Sequence, residues 1–111
     1  MAFKKYKGDV ITNYIAQTDL EIGQMVAVGS FTGIAMNTVK AGEAVTLQCK
    51  GIFEFGAEQV TDADEIVVGS NLYQDATGDK ATTDNTSGVF VGVSLTAKPA
   101  NTVGQIDLIM L

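Results

Sequence analysis

Histidine, arginine and tryptophan are absent from the chain, and cysteine and proline occur once each. Without histidine there is no imidazole to act as a general base near neutral pH or to activate a serine or cysteine, and the commonest zinc ligand is missing. Without arginine the planar fork that grips phosphates and guanine edges is missing too. A net charge of −6 opposes any sustained contact with a polyanion, so nucleic acid is disfavoured as a partner. One cysteine, Cys49, can form no internal disulfide and no metal-ligand cluster. Long apolar runs are also lacking: none approaches the roughly 18 residues of a membrane span, and the opening MAFKKYKGDV has no apolar signal core. The expectation is a protein made and folded in a reducing cytoplasm, with no membrane contact.

What is present is globular in kind. Of 111 residues, 46% are hydrophobic and 18% charged, which excludes disorder on composition. A chain of this length makes one domain that buries roughly two thirds of its unfolded surface. Few aromatics leave the core to Val, Ile, Leu and Met. Residues 1–7 form a separate arm in which Lys4, Lys5 and Lys7 alternate with Phe3 and Tyr6, ahead of a single domain over 8–111. Such an arm is either a frayed, solubilising terminus or a segment that orders on an acidic partner.

The organising stretch is 26–55. Its apolar segments 25–28, 31–36, 44–49 and 52–55 are of strand length and are punctuated by Gly29, Gly33, Gly42 and Gly51, leaving no room for a helix. They read as a tight antiparallel meander. In 44–50, alternation puts Val45, Leu47 and Cys49 on one face, making Cys49 a small core hydrophobe rather than a reactive thiol. Gly51 reads as a bulge or a barrel corner. A first strand over 9–15 has apolar side chains on both faces, and 56–65 is loop with at most one helical turn. Strand character returns at 66–68 and 71–74, then at 89–95 and 105–111. The turn 75–79, DATGD, resembles the start of a calcium loop but lacks the glycine and the terminal glutamate at the required places, so a plain turn is expected. The last strand alternates Ile106, Leu108 and Met110 against Ile109 and Leu111, apolar on both faces. Ile109 and Leu111 are therefore candidate subunit-interface residues.

The two halves echo each other. Residues 22–28, 33–36 and 42–47 correspond in character to 68–74, 92–95 and 104–108. Two copies of one β-unit closing on each other make a small all-β domain, an antiparallel β-barrel or a sandwich, with short strands.

The succession Gly33-Ile34-Ala35, Ala41-Gly42-Glu43, Gly51-Ile52-Phe53-Glu54-Phe55, Gly69-Ser70-Asn71-Leu72-Tyr73 and Gly92-Val93 resembles the small phage head decoration proteins, or capsid cement proteins, long catalogued as a domain of unknown function. Ser70-Asn71 stands where that pattern has Asp and a variable residue, and Ser94 where Ala is common. The resemblance spans about residues 8–108. It implies a virion protein on the outside of a phage head, binding the major capsid protein after expansion and often forming a homotrimer at local three-fold positions. On that reading Phe3, Lys4, Lys5, Tyr6 and Lys7 are the candidate capsid-binding residues.

Two other function classes have weaker support in the sequence. Catalysis would rest on Glu54, Glu58, Asp62 and Asp64, which are scattered without a spacing that makes an acid and base pair, and no cofactor or metal motif accompanies them. A glycan- or cell-surface-binding module would need exposed aromatics, for which Tyr14, Phe53, Phe55 and Tyr73 are the candidates.

Overall fold

The computed structural model describes residues 10–110. The arm residues Phe3, Lys4, Lys5, Tyr6 and Lys7, and Leu111, lie outside them.

Among the described residues nine strands follow one another: β1 (Val10–Ile15), β2 (Met25–Val28), β3 (Phe31–Ala35), β4 (Ala44–Gln48), β5 (Gly51–Phe55), β6 (Asn71–Gln74), β7 (Ala81–Thr82), β8 (Phe90–Ser94) and β9 (Ile106–Met110). One 3-10 turn, Ala57–Gln59, sits where the helical turn was expected. The strands make two open antiparallel sheets, ordered β1-β4-β3-β2 and β5-β9-β8-β6-β7. The fold is all-β, and of the two architectures allowed by the sequence, the closed barrel is not the one formed.

The meander holds only as far as β4. β5 does not return along β4 but crosses to pair with β9 in the other sheet. Gly51 makes the crossing: its φ of 128° is one that side-chain-bearing residues avoid, and a Cβ there would stand 3.0 Å from the Gln48 amide. The glycine that breaks the apolar run is thus a corner between sheets.

Packing explains the alternation. In β3, Ile34 points toward the second sheet with Met25, joining Phe55, Leu72, Ile106 and Leu108, while Ala35 points away. On that far face Val45 and Leu47 of β4 are covered by Ala16, Leu20 and Val39 from the connecting loops, with half-buried Cys49 against them. Each fully buried Leu or Phe contributes roughly 1.5–3 kcal/mol of transfer free energy. In β1 alternation breaks down, because its register shifts between Ile11 and Tyr14 and both pack on the same cluster.

The echo between halves becomes a shared topology. β1, β4, β3 and β2 lie in the same order as β5, β9, β8 and β6. Leu20 bridges Val39 as Ile66 bridges Lys98. Gly23 donates its N–H to Ala35 O as Gly69 does to Ser94 O, at 2.7 and 2.8 Å, with φ of 88° and 92°. Met36 N–H bonds Thr46 O as Leu95 N–H bonds Asp107 O, both at 2.8 Å. This last pair sets Leu108 against Leu47 and so Gly104 against Glu43, and the left-handed position held by Gly42 in the first unit falls to Asn101 in the second.

Candidate functional site

The carboxylates named in the sequence are occupied or dispersed. Asp64 faces β7: the hydroxyls of Thr61 and Thr82 donate to its Oδ2, the latter at 2.6 Å, and Thr83 N–H donates at 3.2 Å. Burial opposes its ionisation, but these donors outweigh burial and hold the carboxyl below its ordinary value. Asp75 behaves alike in the DATGD turn, where its Oδ1 accepts from the Thr77 hydroxyl at 2.7 Å and from the N–H groups of Thr77 and Lys80. There too burial is outweighed and the pKa is lowered. The Asp75 carboxylate is thus spent on the hydroxyl and backbone N–H groups of its own turn. Asp84 is lowered chiefly by the hydroxyl and N–H of Thr86. Among the described residues, no three groups of ligand type stand close enough to hold a metal ion.

The aromatics proposed for a glycan platform are mostly turned inward. Phe55 is fully buried, Phe53 packs partly on the same cluster, Tyr14 packs on the other, and Tyr73 meets Phe90 edge-on with ring centroids 5.7 Å apart.

Lys98 lies in the connection between β8 and β9, yet it is 3% exposed. Its Nζ donates to the carbonyls of Asp62, Pro99 and Thr102 at 3.0, 3.1 and 2.9 Å, so all three ammonium protons are used. One side chain therefore pins the connection before Ile66 to the connection before β9. Nothing in the alternation of a loop segment signals such a residue; only its place opposite Ile66, matching Val39 opposite Leu20, could have marked it as inward-facing.

What remains is surface. On the outer side of the second sheet, Ile52, Ile109 and Val93 are register neighbours across β5, β9 and β8. Ile52 is exposed, while Ile109 and Val93 are half-buried. Alongside them Glu54 lies directly opposite Asp107. Like charges abreast on neighbouring strands cost stability unless a cation relieves them. The structure thus places the predicted Ile109 in an apolar row beside paired carboxylates. Further exposed aliphatics stand at the corners, Ile22 and Met36 in the first unit and Val67, Val68 and Leu95 in the second.

The described residues thus offer dispersed carboxylates and apolar surface rows. Residues 6–109 match the sequence model of the phage cement proteins. The chain belongs to the phage cement protein family. The match covers nearly the whole chain and begins inside the arm, leaving Phe3, Lys4 and Lys5 ahead of it. No curated protein and no solved structure matches the chain. A cement protein has a structural, stabilising role on the phage capsid. No helix among the described residues is long and apolar enough to cross a membrane.

Proposed function

We propose that this cement protein binds the outside of the expanded phage head and stabilises the contacts between neighbouring major capsid subunits, without catalysing a reaction. The family match carries this reading. Its physical sense is that many copies, each burying a modest area across a subunit boundary, add up to a large barrier against rupture by packed DNA. The net charge of −6 keeps the copies soluble and off DNA.

Within that role the arm, through Phe3, Lys4, Lys5, Tyr6 and Lys7, reaches the capsid, its lysines meeting acidic shell groups and its aromatics supplying apolar anchors. Ile109, with Leu111 beyond it, contributes to contacts between copies in a trimer. The apolar row of Ile52, Ile109 and Val93 supports that assignment, because it provides contiguous area on a regular strand face.

The test is to remove the protein from heads of the phage that encodes it and then resupply it. Under this reading resupply restores density on the outer surface and raises the temperature at which heads release DNA. Deleting residues 1–7 weakens rebinding while leaving the thermal midpoint of the free protein nearly unchanged. Resupply that leaves head stability unaltered contradicts the proposal.

A further inference from the structure

Folding constrains what is buried in the two units, so buried positions that match are expected of a repeat. Exposed positions carry no such constraint, and some differ: Glu21 stands against Val67, Thr38 against Ala97 and Lys40 against Pro99. Others agree, Phe31 with Phe90 and Ala41 with Ala100 among them, and three further pairs are aliphatic or acidic in both units. Ile22 and Val68, each just ahead of the left-handed glycine, are 67% and 68% exposed. Met36 and Leu95, each just after the strand that receives that glycine's N–H, are 41% and 40% exposed. Asp19 and Glu65, each just before the bridged Leu20 and Ile66, are both acidic and both exposed.

The two aliphatic positions share one corner in each unit, and the acidic one lies three residues ahead of it. The Gly23-to-Ala35 bond sets Ile22 beside Met36, and the Gly69-to-Ser94 bond sets Val68 beside Leu95. Ile22 is held further by its N–H to the Thr38 hydroxyl at 3.1 Å. A shallow groove of about 490 Å³ with Asp19 on its wall runs by the first corner, and one of about 420 Å³ with Glu65 runs by the second. A solvated aliphatic pair lowers solubility and adds little to folding, so it is retained in both units for something outside the chain.

We infer that the protein carries the same docking corner twice and engages two neighbouring copies of one shell protein, each through an aliphatic socket edged by lysine or arginine. The basic edge follows from charge: each unit carries an exposed carboxylate, Asp19 or Glu65, three residues ahead of its exposed aliphatic, on a chain of net charge −6. A repeated lattice presents identical surfaces at a fixed spacing, and a chain with two equivalent corners bridges two of them with the same chemistry. The second contact is then intramolecular, which strengthens binding well beyond either corner alone. This inference rests on the cement reading and specifies how the clamp grips.

The experiment uses expanded heads lacking the protein and measures rebinding of full-length wild type, Ile22→Glu, Val68→Glu and the double variant. Met36→Gln and Leu95→Gln serve as a second, milder pair, and thermal midpoints check that each variant is folded. The expected result is a comparable loss for the two single glutamates, about tenfold or more each, with binding abolished in the double variant. A double variant that binds like wild type overturns the inference, as does a pair in which one single variant loses everything and the other nothing. Wild type that fails to bind any head sinks the cement reading itself and this inference with it.

Discussion

The buried amide of Gln74 donates to the buried hydroxyl of Thr32 at 3.1 Å, joining β6 of one sheet to β3 of the other. The same hydroxyl donates onward to Phe90 O at 3.0 Å. Two polar side chains between apolar sheets are tolerable only because each satisfies the other.

Thr32→Val removes the hydroxyl at nearly constant volume and leaves the Gln74 amide and Phe90 carbonyl short of a partner. The expected cost is about 1–3 kcal/mol, read as a fall in thermal midpoint of roughly 4–8 °C per kcal/mol for a domain near this size. In a double-mutant cycle with Gln74→Leu, the combined loss is smaller than the sum of the single losses.

Lys98→Met keeps most of the buried stem and removes the ammonium, leaving the carbonyls of Asp62, Pro99 and Thr102 without that donor. A loss of about 2–4 kcal/mol is expected, since hydrogen bonds to a charged donor are the stronger kind and the acceptors are partly buried. Limited proteolysis should then cut first at residues 62–66 or 98–102. Unchanged stability in denaturant titration would show that the three contacts contribute nothing.

Glycines at equivalent places in the two units predict unequal tolerance. At Gly92 a Cβ would stand 2.3 Å from Ile109 O, a backbone atom that cannot step aside. At Gly33 the nearest atom is the Leu47 Cβ at 3.1 Å. Gly92→Ala should therefore disrupt the β8–β9 pairing and lower soluble yield sharply, whereas Gly33→Ala should cost about 1–3 kcal/mol of overpacking and still fold. Comparable midpoints for the two would contradict the geometry.

Acid should destabilise the protein through its aspartates. Asp64, Asp75 and Asp84 all have folded-state pKa values below the 3.8 of an ordinary aspartate. A lowered folded pKa gives a stabilisation that is complete above the unfolded value and is lost as pH falls through the folded one. Stability is accordingly flat on this account from neutral pH down to about 5, then declines below about 4. Asp64→Asn should weaken that decline and lower stability at pH 7 by about 1–2 kcal/mol, as followed by urea titrations across pH.

How much the sequence disclosed depends on whether the cause was local. Strands β2 and β6 are set by β-prone residues between turn formers and were placed at their observed bounds. The crossing of β5 to β9 was not legible, because alternation in 51–55 suits either sheet and the choice rests on long-range packing of Phe55 with Ile106 and Leu108. β7, just Ala81–Thr82, is too short for a periodic signal and owes its place to Asp64 and to pairing with β6. Ile109 was read from strand alternation and indeed lies on the outer face. The corners at Ile22 and Val68 were seen as an echo of sequence, but their matched exposure needed the fold. Lys98 shows the converse: a lone lysine in a polar loop looks solvated until three carbonyls are found around it.

The central claim, that the chain is a clamp for the mature shell, is tested most directly by co-sedimentation of the purified protein with expanded and with unexpanded heads of the phage that encodes it. Saturable binding to expanded heads, with unexpanded precursors left largely bare, is the predicted result. Equal binding to both forms, or to neither, would contradict it.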